Sequence, residues 1–204
     1  MVFAGAVLAL GLAGASLPAT ATPVDLPEST STEVRQAVTH ALSAGDTAGL
    51  PFAVVDKKNA RLYVFDATGT LRGTTPVLLG SAVGDTYFPG LNQRNLSQLA
   101  AHERTSPAGR FVAQPGRNLT GEAVVWIDYD SAFAIHRLRP AAAQERRAER
   151  LASATPDDNR ISLGCVITSV VFYEQVVVPV LGASRSVVYV LPDGPFNGDV
   201  FDAL

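Results

Sequence analysis

The chain holds one cysteine in 204 residues, and its three histidines lie far apart, at positions 40, 102 and 136. No internal disulfide can form, and no ligand spacing of the kind that fixes zinc or an iron–sulfur cluster is present. Neither a metal nor a cofactor is therefore expected. Charge is sparse as well: 16 Lys and Arg stand against 19 Asp and Glu, spread along the chain for a net charge of −3. Such a balance contains no basic stripe of the kind a phosphate backbone requires, so nucleic acid is not an expected partner. Residues 1–21 carry no charge at all, yet the apolar run inside them, 2–17, is too short to span a membrane comfortably.

What that N-terminal stretch does have fits a secretory signal peptide. Ala19-Thr20-Ala21 is a small-residue cleavage site, which makes Thr22 the expected first residue after processing. No Lys or Arg precedes the apolar run, a departure from the usual pattern, and the competing reading is a buried N-terminal helix. The expectation is export to the periplasm or cell envelope, with no integral membrane span after processing. A lone thiol in an exported chain is a hazard unless it has work to do, although a free Cys can also serve as a small buried hydrophobe.

Nearly half of the residues, 47%, are apolar, enough to build one core. Thr30 with Glu33 forms a capping-box signature that predicts a helix start, and Val34, Ala37, Val38, Ala41 and Leu42 fall on one helical face. Gly45, Gly49 and Pro51 end that pattern. Short β-rich runs then follow at 52–56, 61–66, 71–79, 123–127, 133–136 and 187–191, with turns at 57–60 and 67–69. Alternation across residues 61–65 predicts a sheet with one wet face. A polar loop, 84–103, and an Ala-, Glu- and Arg-rich stretch, 140–154, interrupt the strands; the second is predicted helical with a solvated face. Thr168-Ser169 predicts the cap of a buried helix over 170–178 that ends at Pro179, although its β-branched content equally suits a core strand. The expected fold is mostly β with a few helices, an α+β domain. The expected divisions are a signal peptide (1–21), a linker and N-terminal packing helix (22–50), the main domain (51–192) and a tail (193–204).

Two residues carry the chemistry. Cys165, in Ser162-Leu163-Gly164-Cys165, precedes the proposed helix, so its sulfur is expected near a helix N-terminus, where unpaired N–H groups favour thiolate and can hold an oxyanion. Gly164 leaves room for a substrate carbonyl to approach the backbone. A cysteine nucleophile needs a base, and His136 ends the apolar strand Phe133-Ala134-Ile135, where its ring can emerge at a sheet edge. His40 lies in the packing helix and His102 in the polar loop, and both read as surface residues.

The order Ile135-His136 and then Ser162-x-Gly164-Cys165-Val166 resembles the L,D-transpeptidase catalytic domain, whose signature is a histidine upstream of Ser/Thr-x-Gly-Cys. Two further segments are similar: residues 53–65 with Gly69 and Pro76-Val77 resemble its opening strands, and Thr105-Ser106-Pro107-Ala108-Gly109-Arg110-Phe111 resembles its Thr-Pro-x-Gly-x-Phe segment. The likeness covers about residues 52–191. It implies a β-sandwich or barrel domain that binds peptidoglycan stem peptides, with Cys165 as nucleophile and His136 as base. It further implies that Ser162 orients His136 or lines the pocket, and that the N–H groups of Gly164 and Cys165 hold the oxyanion. Three departures stand out. Leu163 replaces a polar residue, Ile167 stands where the family usually has Arg or Asn, and 140–160 reads as an insertion. Arg137 and Arg160 are the candidate substitutes for the missing cation.

Rival readings remain at this level. A sortase-like transpeptidase also places histidine before cysteine but needs an arginine soon after it, and none occurs until Arg185. Papain-like proteases have the opposite order. An L,D-carboxypeptidase would share the first half-reaction and transfer to water. A catalytically degenerate cell-wall binding module of the same fold is the alternative from another class, motivated by Leu163 and Ile167.

Overall fold

The computed structural model describes Met1, residues 24–196 and Phe201, so the expected signal segment and its cleavage site lie outside the described residues. Among the described residues ten strands follow one N-terminal helix: β1 (Phe52–Asp56), β2 (Arg61–Phe65), β3 (Leu71–Pro76), β4 (Leu79–Gly80), β5 (Gly109–Arg117), β6 (Ala123–Asp128), β7 (Phe133–Arg137), β8 (Arg160–Ser162), β9 (Val166–Thr168) and β10 (Ser186–Val190). Eight form one mixed sheet in the order β3-β2-β1-β10-β5-β6-β7-β9, while β4 pairs with β8. The large sheet curls until its ends nearly meet. Leu78, just past β3, exchanges both backbone hydrogen bonds with Ile167 of β9, at 2.8 and 2.9 Å. The architecture is thus mostly β, a nearly closed barrel-like sheet with short helices.

Strand alternation sorts the core. Ala53, Val55, Leu62, Val64, Phe111, Val125, Ile135, Val166 and Val188 point into the barrel, where Tyr173, Val177 and Leu181 plug one side. Phe52, Val54, Tyr63, Phe65, Val187 and Tyr189 point outward and meet Val34, Ala37, Val38 and Ala41 of α1 (Thr32–Ser43). The expected wet face of β2 is therefore dry, because α1 and Phe201 cover it. The cap of α1 is Ser31, one residue later than expected: its Oγ accepts from Val34 N–H and donates to Asp56 at 2.7 Å, which ties the helix start to the end of β1.

Residues 140–154 form only a short helix, α2 (Arg147–Ala152), after a 3₁₀ turn over Ala143–Glu145, and Leu151 is its buried residue. Six residues bury little surface on their own, so this segment takes its shape from what it packs upon. Ser169 does cap the next helix, as read, accepting from Phe172 N–H at 3.2 Å. That helix passes through a π turn, Tyr173–Val177, and runs on to Val180 instead of stopping at Pro179. A widened turn suits a site where proline supplies no N–H to the preceding carbonyls. No described helix is long and apolar enough to cross a membrane.

Candidate active site

Parallel pairing of β7 with β9 aligns Ile135 with Val166 and His136 with Ile167. Ile135 and Val166 face the barrel core, so alternation sends His136, Cys165 and Ile167 to the outer surface of the same two strands, which lie ~4.8 Å apart. There His136 and Cys165 line a common cleft of about 410 Å³ with Ser131, Ala132, Arg139, Arg147, Ser162 and Leu163, roofed by Leu91, Leu96 and Leu99 of the 84–103 loop.

The expected helix N-terminus beside the thiol is not there. Strand β9 separates Cys165 from the helix that begins at Val170, so the sulfur takes its polar contacts from the strands instead. Cys165 Sγ donates to the Ala132 carbonyl at 3.5 Å, and the backbone N–H groups of Ala134 and of Cys165 itself favour the thiolate. Burial pushes the thiol above its ordinary pKa, against the pull of those N–H groups and of Arg139 and Arg147. His136 is 8% exposed, and its Nδ1 lies 2.8 Å from the Arg137 carbonyl. A carbonyl only accepts, so Nδ1–H donates and Nε2 keeps its lone pair. Burial first, and then the Arg139 charge, hold this imidazole down at about 4. At neutral pH the pair is accordingly thiol and neutral imidazole, not thiolate and imidazolium. Among the described residues no hydrogen bond joins the two side chains.

A buried hydroxyl, that of Ser106, builds the cysteine loop. Ser106, fully buried, donates to the Gly164 carbonyl at 2.5 Å and accepts from Gly80 N–H at 3.0 Å. Gly164 has φ +139, and a Cβ there would stand 2.8 Å from the Thr105 carbonyl oxygen, so glycine is required both for conformation and for space. Ser162 Oγ donates to the Cys165 carbonyl at 2.7 Å and accepts from Gly164 N–H at 3.0 Å. Ser162 thus braces the loop rather than orienting His136. Gly164 N–H, expected to hold an oxyanion, already donates to Ser162 Oγ.

Neither candidate cation reaches the cleft. Arg160 pairs with Asp193 and donates to the Lys57 carbonyl, and Arg137 pairs with Glu122. The cleft cations are Arg139 and Arg147, on either side of Pro140 and the short 3₁₀ turn. Ile167, 1% exposed, is buried against Leu78 and Leu151 of α2. The apolar residue at that position and the 140–160 segment explain each other, since one packs beneath the other. A signal for Arg147 lies in the Arg-rich stretch 140–154, which Arg139 immediately precedes, but which arginines turn inward depends on how the segment lies on the barrel. No family model matches the chain, and no curated protein matches it.

Proposed function

We propose that the protein is an exported cysteine acyltransferase of the L,D-transpeptidase type, acting on peptidoglycan stem peptides. The observation that carries this reading is the meeting of His136 and Cys165 in one cleft through β7–β9 pairing, with Nε2 left as the free acceptor of the imidazole. A neutral imidazole beside a thiol can act as a general base, taking the proton as sulfur attacks, so no preformed ion pair is needed. The Cys165 sulfur bonds to the carbonyl carbon before a terminal D-alanine, and the thiol proton passes to His136. The oxyanion forms near the Cys165 N–H. The carbon–nitrogen bond then breaks, His136 returns the proton to the leaving amine, and a thioester remains. An amine of a second stem peptide or of a lipoprotein resolves it by transfer; water resolves it by hydrolysis.

The raised thiol pKa and the occupied Gly164 N–H favour a second reading, a catalytically degenerate cell-wall binding module. One experiment separates the two. Purified protein incubated with disaccharide tetrapeptides is expected to release D-alanine and to form a thioester on Cys165 visible by mass spectrometry, and Cys165→Ala is expected to do neither. Stem-peptide binding with no more D-alanine than the Cys165→Ala background, over long incubations with several acceptors, would replace the enzyme reading with the binding module.

A further inference from the structure

Two of the arginines that line the Cys165 cleft, Arg139 and Arg147, each have a carboxylate beside them. The two oxygens of Glu122 are divided between Arg137 and Arg139, the latter through Nε at 2.6 Å. Arg147 engages Glu145, also through Nε. Arg147 thus hydrogen-bonds its carboxylate through Nε, whereas Arg139 Nε, though 2.6 Å from Glu122, is a buried donor without a hydrogen-bond partner, and among the described residues no protein acceptor reaches the Nη ends of either arginine. Their side chains are only 31% and 22% exposed, so these unused donors sit partly sheltered from water. A guanidinium end with two parallel N–H groups is the shape that a carboxylate accepts bidentately. Arg139 and Arg147 both act electrostatically on the thiol and on the imidazole, which places their charge close to the groups that would react. Their effects on the two groups oppose each other. Neutralising them would ease protonation of His136 and hinder ionisation of Cys165, so the net cost of moving a proton between the pair changes little. What the two arginines add is recognition, not activation.

We propose that the Nη ends of Arg139 and Arg147 form an anion subsite of the Cys165 cleft, which selects ligands that carry a carboxylate beside the group presented to the thiol. The role assigned to that carboxylate, as part of an acyl donor, rests on the function proposed above; the subsite itself does not. Its test uses small reagents in place of the acyl donor. Iodoacetate and iodoacetamide alkylate a thiol by the same displacement and differ in one carboxylate. The rate ratio of iodoacetate to iodoacetamide at Cys165, referenced to a free cysteine thiol at the same pH, is expected to exceed one and to fall as salt is added, because screening weakens the attraction only for the anion. Arg139→Gln and Arg147→Gln are each expected to lower the ratio about fivefold, the effect of removing one charge in contact with the anion in a water-like medium. Arg147→Lys is expected to keep most of it. The salt titration of the unmodified protein needs no variant to fold. A referenced ratio of one that is insensitive to salt would overturn the subsite, as would a thiol inert to both reagents up to pH 9, since a subsite must admit a two-carbon acid. D-alanine release measured in parallel reports on the acyltransferase reading alone, so either idea can fail without the other.

Discussion

Two polar regions flank the same barrel and use their hydrogen-bonding capacity in opposite ways. Around Lys57, whose side chain is fully buried, all three ammonium protons are engaged: by the Gly84 carbonyl at 2.8 Å, Asp85 at 2.6 Å and the Ser106 carbonyl at 2.8 Å. Asp193 lies 3.3 Å from the same nitrogen, accepts from Gly84 N–H and pairs with Arg160, whose Nη1 is the one buried atom of this cluster without a partner. Around Cys165 the valences are left open. Nε2 of His136, the Nη ends of Arg139 and Arg147 and the thiol itself have room for a guest. A buried polar group costs free energy unless it is paired, so a saturated cluster serves the fold, while an unsaturated one beside a cleft is where chemistry can be expected.

The largest effect that can break this contrast is expected at Lys57. Lys57→Met leaves two carboxylates facing each other without their shared cation and should cost about 3–5 kcal/mol of unfolding free energy, read as a lower urea midpoint at unchanged slope. A cost below about 1 kcal/mol would mean that the cluster is not what ties β1, the 84–108 loop and the C-terminal residues together, and the contrast would fail.

His136 gives the next effect, and its sign follows from the direction of its shift. Its folded pKa, about 4, lies below the ordinary 6.5, so between those values the unfolded chain binds more protons. Stability is complete above about pH 6.5 and is lost as pH falls towards 4, by about 3 kcal/mol for a shift of this size. Urea unfolding of the wild type and of His136→Gln at pH 7 and pH 4 should show the variant losing less over that interval by roughly this amount. Equal losses would show that the imidazole is not buried in its neutral form.

Ser106 joins the two regions, since its carbonyl receives Lys57 and its hydroxyl holds Gly164. Ser106→Ala orphans the buried Gly80 N–H and frees the cysteine loop, at about 1–3 kcal/mol. As a positioning residue it should also shift the pH profile of Cys165 alkylation, because where the sulfur sits against β7 and the Ala132 carbonyl depends on the loop's register. A variant that is destabilised but keeps an unchanged profile would make Ser106 purely structural. The smallest effect belongs to the thiol alone: in the wild type its alkylation should rise with pH later than that of a free cysteine, as burial dictates. An earlier rise would return the pair to thiolate and imidazolium.

Much of the frame is legible in the chain. Strands β1, β2, β6, β7 and β10 follow from short β-rich apolar runs, most of them buried on both faces, and the buried face of α1 follows from helical spacing. Strand β5 carries no clear strand signal, since Pro115 and Gly116 interrupt it, and β8 and β9 are too short to show a period. Lys57 looked like a turn residue, and 193–204 like a tail, although Asp193 is part of the Lys57 cluster and Phe196 and Phe201 pack under α1. Charge in a sequence marks where water is usual, not where a second charge has displaced it.

By itself, then, the sequence determined the mostly β class, the strands that are short apolar runs, and the two residues, His136 and Cys165, around which a site could form. The tertiary structure alone decided that a three-residue strand places the cysteine on the outer barrel wall, that Ser162 and Ser106 spend their hydroxyls on the loop, and that Arg139 and Arg147 replace Arg137 and Arg160 in the cleft. The division has a physical cause. Periodicity records what each element buries along its own length, whereas the direction of a long charged side chain, and the pairing of a buried one, depend on elements far away in the chain.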